Sequence, residues 1–169
     1  HEPFDLVLID HHTDMQSSIV GDMLSCGNWA KKALQNPFLH RLYLIGPSKH
    51  DLKSAEQNKV LSFSIEELEQ GATIPLETKY PVYISIDKDV LDERYAMTNW
   101  NQGDMSLGML EDVLAHFLRN CEVIGIDICG DDPDIDDYPT YIKAERINNL
   151  SDDALYQTAM KILKRRQKK

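Results

Sequence analysis

The sequence predicts a three-layer α/β/α domain, in which helices cover both faces of a mostly parallel β-sheet. Three observations favour this class: short apolar runs rich in β-favouring residues, apolar positions that recur at helical spacing, and the alternation of the two along the chain. With 169 residues and 42% hydrophobic content, the chain is expected to form one domain over residues 1–169.

The predicted strands number about five. Each is a short apolar run that ends at polar or turn-forming residues, as is typical of strands buried in a parallel sheet. They cover Phe4–Ile9, Arg41–Ile45, Lys59–Phe63, Pro81–Ile86 and Glu122–Ile128.

Short helices are predicted between these strands. Asn28 is expected to cap a helix that runs through Leu34, and Ser64 is expected to cap one over residues 65–70. An earlier helix is indicated by apolar residues at helical spacing, namely Ile19, Val20, Met23 and Leu24.

Two longer helices complete the pattern. Ser106 is expected to cap a helix whose apolar face extends from Leu107 to Leu118. A terminal helix is expected from about Asp152 with Ser151 as its cap, after a surface loop over Asp131–Tyr141.

Composition excludes several classes of function. The formal net charge of -10 disfavours nucleic-acid binding, which needs a basic face, and no apolar stretch is long enough to span a membrane. Cys26, Cys121 and Cys129 form no CxxC pair, which fits a reducing cytoplasm, and all three are expected in the core. No signal peptide is recognisable, and the abrupt start in a strand predicts that the domain is N-terminally incomplete.

Two acidic clusters follow directly after predicted strands, Asp10–Asp14 (DHHTD) and Ser85–Asp89 (SIDKD). Because the carboxyl ends of parallel strands meet at one edge of a sheet, the clusters are expected to share one crevice. Residues that leave a strand in an extended path alternate sides, so a subset is expected to face the crevice together. These candidate metal ligands are Asp10, His12, Asp14, Asp87 and Asp89.

Carboxylates gathered in a partly dry crevice repel one another unless they are protonated, paired or bound to cations. Oxygen ligands with one imidazole suit Mn²⁺, Zn²⁺ or Fe²⁺, whereas the lack of cysteine in the clusters disfavours a structural zinc. A single Asp after a strand usually only caps a turn. Two such clusters in matched contexts favour a two-metal site.

The motifs DxHxD and SxDxDxxD, in Asp10–Asp14 and Ser85–Asp92, resemble the signature segments of the ureohydrolase family, which includes arginases and agmatinases. The resemblance continues through Gly103–Leu107 (GDMSL) and Gly125–Pro133 (GIDICGDDP), and so covers nearly the whole chain. It implies an arginase-like fold. It also implies a metal-dependent hydrolase that cleaves a C–N bond in a guanidino, amidine or amide substrate, with hydroxide bridging two Mn²⁺ ions.

The resemblance further implies a role for each cluster residue. Asp10 and Asp87 would bridge the two Mn²⁺ ions, although other divalent metals are compatible with the same ligands. Asp14 would complete one ligand shell, orient the hydroxide and pass a proton as the catalytic residue. His12 and Asp89 would complete the other shell.

The chain departs from the family pattern at three places. The family's first metal ligand, an upstream histidine, would precede residue 1, so a missing N-terminal segment is expected to complete the site. The family's proton-transfer histidine falls at Ala30. The acidic residue that binds a guanidinium group falls at Gly130, with Asp131 and Asp132 adjacent.

Two alternatives stay open. Asp87–Val90 (DKDV) is similar to the nucleophile motif of haloacid dehalogenase-like phosphatases, in which Asp87 would transfer a phosphoryl group with one Mg²⁺. That hypothesis leaves the Asp10 cluster unexplained. The departures at Ala30 and Gly130 favour instead a ureohydrolase-like protein that binds metal without catalysis. In the hydrolase interpretation the partner is a small-molecule substrate, and a homo-oligomer is compatible with it.

Overall fold

Five parallel strands form the sheet that carries the rest of the chain. The structure, a computed structural model, describes residues 2–18, 21–55, 57–75, 79–131 and 136–166. The strands pair in the order β3-β2-β1-β4-β5, and each begins and ends within two residues of its predicted bounds. They are β1 (Phe4–Ile9), β2 (Leu39–Gly46), β3 (Val60–Ser64), β4 (Val82–Asp87) and β5 (Val123–Cys129).

Helices cover both faces of this sheet, which confirms the predicted three-layer class. One core cluster joins the sheet to α3, α4 and α5, and a second joins its other face to α1 and α2. The helices are α1 (Trp29–Ala33), α2 (Lys49–Leu52), α3 (Ile65–Glu69), α4 (Leu107–Asn120) and α5 (Tyr138–Arg166). No helix in these described ranges combines the length and the apolar character needed to cross a membrane.

The two cores follow from the alternation of side chains along each strand. In β1, Val7 and Ile9 belong to the core under α4 and α5, whereas Leu6 and Leu8 belong to the core under α1 and α2. A central strand therefore needs apolar residues at every position, which explains why its sequence reads as one continuous apolar run.

Two of the predicted helix caps are confirmed. The Ser64 hydroxyl accepts a hydrogen bond from the Glu67 backbone N–H at 3.2 Å, and the Glu67 carboxylate accepts one from the Ser64 N–H at 3.0 Å. The Ser106 hydroxyl likewise accepts from the Met109 N–H at 3.2 Å. The predicted Asn28 cap is wrong in its contacts, since its side chain accepts from the Ser25 N–H at 2.9 Å. Asn28 therefore closes the preceding turn.

The helix predicted from Ile19, Val20, Met23 and Leu24 is wrong in its described part. Ile19 and Val20 lie outside the described residues, and residues 21–25 contain no helix. Met23 and Leu24 are more than half exposed, at 62% and 63%. Gly21 adopts a left-handed φ of 54°, which favours a turn over a helix at this point.

The terminal helix starts at Tyr138, well before the predicted position. Ser151 lies inside α5, where it is buried and its hydroxyl donates to the Tyr95 carbonyl, so its assignment as a cap is wrong. The predicted loop over Asp131–Tyr141 accordingly ends earlier, although residues 132–135 are outside the described chain. The buried stripe of the added turns contains Asn148, a polar residue that hides the helical pattern in the sequence.

The cysteines divide between core and surface. Cys121 is buried, as predicted, whereas Cys26 and Cys129 are exposed, so the core prediction is wrong for these two. Both lie near the acidic clusters: Cys26 lines the pocket that contains them, and Cys129 contacts Asp87.

We expect Asn148→Ala to destabilise the fold by about 1–3 kcal/mol. The Asn148 side chain accepts from the Met97 N–H at 2.8 Å and donates to the Met97 carbonyl at 2.9 Å. Its loss leaves two backbone groups without their partner. Urea unfolding should show the change, with the exposed neighbour variant Asn149→Ala as the matched control, expected within about 0.5 kcal/mol of wild type. Equal losses in the two variants would contradict a specific clamp.

Candidate metal centre

Parallel pairing of β1 with β4 places the two acidic clusters side by side. The register runs from Asp5 opposite Val82 to Ile9 opposite Ile86. Asp10 and Asp87 are the next residues of these neighbouring strands, which lie about 4.8 Å apart in a sheet. The predicted meeting of the clusters at one edge of the sheet therefore has a direct cause in strand register.

Three of the five predicted ligands form a compact group. One ligand atom from each of Asp10, His12 and Asp89 lies within 4.8 Å of the others. His12 Nδ1 is 2.8 Å from Asp89 Oδ2 and 3.6 Å from Asp10 Oδ1. Asp14 and Asp87 line the same pocket but are not part of this close group among the described residues.

Each cluster is shaped by the same local turn. Asp10 Oδ1 accepts from the His12 backbone N–H at 2.6 Å, and Asp87 Oδ1 accepts from the Asp89 N–H at 3.0 Å. An Asp that bonds to the N–H two residues on closes a tight turn. Asp10 and Asp87 therefore each close a turn with one oxygen. Their second oxygen is not used by that turn.

Asp14 is held from outside the clusters. Its Oδ2 accepts a hydrogen bond of 2.6 Å from the indole N–H of Trp29, the first residue of α1. Asp14 also adopts a φ of 51°, a left-handed conformation that is uncommon for residues other than glycine. Nothing in the spacing of the sequence predicts this bond.

Burial raises the pKa of three carboxyl groups of the cluster. Removal from water raises the pKa of Asp10, Asp14 and Asp87 above the usual carboxyl range, with the Asp89 charge as a further cause at Asp87. Hydrogen bonds to Asp10 and Asp89 raise the pKa of His12 to about 10. The pocket thus sets four carboxylates against one imidazole, a shortage of positive charge that bound divalent cations would remove.

The nearest lysine does not supply that charge. Lys88 lies between Asp87 and Asp89 in sequence and is 1% exposed, but its Nζ contacts Asp131 at 2.7 Å and Asp152 at 3.0 Å. Lys88 begins a 3₁₀ turn, Lys88–Val90, so the extended path predicted for this cluster is wrong beyond Asp87, and the lysine side chain reaches α5 and the loop after β5. Among the described residues that line the pocket, His12 is the one basic side chain.

The structure shows what surrounds Ala30 and Gly130, the two positions in this chain that depart from the family pattern. Ala30 is fully buried in the core under α1, so this position faces the core and not the pocket. Gly130 has a φ of 96°, and a Cβ built there would lie 2.3 Å from Asp87 Oδ1. No side chain fits at residue 130 in this backbone conformation, so the loop after β5 approaches Asp87 only as glycine.

The pocket also includes residues that sequence reasoning did not assign. Gln16, Cys26 and Gly27 line it together with Trp100, whose ring lies 6.1 Å from that of His12. Cys129 donates to Asp87 Oδ2 at 3.4 Å. Cys129 ends β5, whereas the other four lie outside the strands and α-helices, where neither periodicity nor a motif predicts the direction of a side chain. The register of Cys129 opposite Asp87 was the available signal, and it requires the strand order.

Comparison with known proteins identifies similar chains. A model of the arginase family matches residues 1–149. An uncharacterised protein of Thermotoga maritima is 35% identical over 147 residues, which are 86% of this chain and 55% of that protein.

Solved structures share the fold. The formimidoylglutamase of Bacillus subtilis superposes with a TM-score of 0.70 at 18% identity, over 96% of this chain and 54% of that one. Proclavaminate amidino hydrolase from Streptomyces clavuligerus superposes with a TM-score of 0.71 at 20% identity, over 93% of this chain and 56% of that one. A triple mutant of a T. brucei arginase-like protein, bound with Mn²⁺, superposes with a TM-score of 0.63 at 22% identity, over 94% of this chain and 53% of that one. The chain spans about half the length of the relatives it matches.

We expect the metal-free chain to lose stability as the pH rises from 6.5 towards 10. The folded-state pKa of His12 lies above its ordinary value, so its stabilising effect is full below pH 6.5 and is lost as the pH rises through about 10. The raised pKa of Asp10 acts in the same direction.

Urea unfolding in a chelator at several pH values measures this slope. His12→Asn keeps a nitrogen near the Nδ1 position without the titration, and its slope should be smaller. Mn²⁺ should offset the loss in wild type, since cations replace the bound protons. A slope that is the same in wild type and His12→Asn would contradict the role of His12.

Proposed function

The chain belongs to the arginase family, and on that premise we propose that it is a metal-dependent hydrolase that cleaves a C–N bond in a small molecule. The observation that carries the proposal is the close group of Asp10, His12 and Asp89, with Asp14 and Asp87 in the same pocket. Fold alone would not suffice, because one fold serves many functions.

The donor set fits a pair of divalent cations. Carboxylate oxygens with one imidazole nitrogen are ligands that Mn²⁺ accepts, and other divalent metals share this preference. Four carboxylates stand against one imidazole in the pocket, and burial raises the pKa of Asp10 and Asp87, so the metal-free site is short of positive charge. We assign two Mn²⁺ ions to it.

The family resemblance suggests how the ligands divide. Asp10 and Asp87, adjacent through strand register, would be shared by both cations. Asp14 would hold one cation, and His12 with Asp89 would hold the other. When bound, such a pair supplies a water nucleophile near neutral pH.

The remaining steps fall to the chain's own residues. We assign proton transfer to Asp14, a carboxylate that lines the pocket beside Asp10 and Asp87. Its Oδ2 accepts the hydrogen bond from the Trp29 indole N–H, which orients the carboxylate in the pocket. The buried side of the pocket, formed by Asp10 and Asp89 at 2% exposure each, limits access of bulk water.

The substrate class includes guanidino, amidine and amide compounds. Gly130 cannot carry the acidic side chain that would bind a guanidinium group, since even a Cβ there would collide with Asp87. Ala30 likewise offers no group for proton transfer. Both features favour a substrate and proton route that differ from those of arginase itself.

One further ligand is proposed from outside this sequence. The family's first metal-ligating histidine has no counterpart in residues 1–169, and the chain matches about half the length of its relatives. We propose that an upstream segment or a partner chain supplies a histidine to one of the two metal positions.

We expect Asp10→Asn and Asp87→Asn each to lower Mn²⁺ affinity by more than about 100-fold, as expected when a ligand itself is lost, and to abolish hydrolysis. Urea or ammonia release from guanidino, amidine and amide compounds with Mn²⁺ measures activity, and equilibrium dialysis measures binding. Asp153→Asn, an exposed carboxylate on α5, is the control and should match wild type. Unchanged metal binding in both site variants would overturn the proposal.

The same measurements separate the alternatives. A wild-type chain that binds two Mn²⁺ ions and hydrolyses none of these compounds would favour a metal-binding protein without catalysis. Turnover of a phosphate ester that requires Asp87 but survives Asp10→Asn would favour the phosphatase hypothesis. The arginase-family match over residues 1–149 argues against that second outcome.

A further inference from the structure

We propose that Trp29 is a positioning residue for the metal centre: its indole N–H fixes one oxygen of Asp14 and so directs the other oxygen to a cation. This inference rests on the proposed function, because it concerns Asp14 as a ligand. The contact is the 2.6 Å hydrogen bond from Trp29 Nε1 to Asp14 Oδ2.

Asp14 needs an external support because of its backbone. A φ of 51° at a residue other than glycine is strained and persists only where the surroundings determine it. The support comes from residues 26–31. The Lys31 N–H donates to the Asp14 carbonyl at 3.3 Å, and the Gln16 N–H donates to the Gly27 carbonyl at 2.9 Å.

Trp29 is itself anchored. It is the first residue of α1 and packs against the core that contains Leu6 and Leu8. The turn before it is closed by Asn28, whose amide donates to the Met23 carbonyl at 2.9 Å and whose oxygen accepts from the Ser25 N–H at 2.9 Å. Core packing and the closed turn therefore hold the indole in position beside Asp14.

The chemistry of the donor matters for a metal ligand. An indole N–H carries no charge, so it occupies one carboxylate oxygen without neutralising the anion. A lysine or arginine in this place would compete with the cation for the charge of Asp14. Trp29 thus leaves Asp14 as a one-oxygen ligand with its full charge, in the way that neighbouring hydrogen bonds orient metal ligands elsewhere.

The test compares the two metal positions in Trp29→Phe. We expect the affinity for one Mn²⁺ ion to fall about 10–100-fold, while the position held by His12 and Asp89 changes little. Electron paramagnetic resonance of free Mn²⁺ during a titration measures both affinities. Two unchanged affinities would overturn the inference and leave Trp29 as a packing residue.

Packing and hydrogen bonding are separated by a matched replacement. The analogue β-(benzothien-3-yl)alanine at position 29 keeps the two-ring shape and lacks the N–H, so it should lower the same affinity as Phe does. If the analogue binds both ions as wild type does, the hydrogen bond is not the cause. This variant also decides the question if Trp29→Phe fails to fold.

A metal-free readout distinguishes this inference from the proposed function. In the chelated chain, Asp14→Asn should shift the ¹H–¹⁵N indole resonance of Trp29 more than that of Trp100, the other tryptophan. Equal or absent shifts would contradict the bond. A wild-type chain that binds no Mn²⁺ would overturn the proposed function and the metal role of Trp29, whereas wild-type binding with an unaffected Trp29→Phe would overturn the inference alone.

Discussion

The parallel pairing of β1 with β4 is the constraint on which the candidate site depends. It ends at Ile9 and Ile86, and so brings Asp10 and Asp87 into adjacent positions at the edge of the sheet. Apolar burial of both strands fixes this register, because a slip of one residue would move the core side chains of each strand to the wrong face. Burial of apolar side chains in the two cores therefore stabilises a register that places two acidic residues side by side.

The local turns decide what those charges can do. Asp10 and Asp87 each accept a hydrogen bond from a backbone N–H of their own turn, which orients both carboxylates. Lys88, the cation nearest in sequence, is committed to Asp131 and Asp152. A deficit of positive charge is consequently built into the edge of the sheet, and cation binding would relieve it.

Much of the fold and part of the site follow from the sequence. The strands are recognisable because a buried parallel strand is apolar at every position, and Ser64 and Ser106 cap helices through purely local hydrogen bonds. The start of α5 is not recognisable, since Asn148 and Ser151 are buried through polar contacts with a distant loop. Asp10, His12 and Asp89 were predicted together, whereas the bond from Trp29 to Asp14 depends on loop geometry that no periodicity encodes.

The central claim is that Asp10 and Asp87 share a pair of divalent cations. Anomalous diffraction at the manganese absorption edge, from crystals grown with Mn²⁺, tests it most directly. The account predicts two peaks about 3.5–4 Å apart, with a carboxylate oxygen of each residue within bonding distance of both. A single peak, or peaks that neither carboxylate contacts, would contradict it.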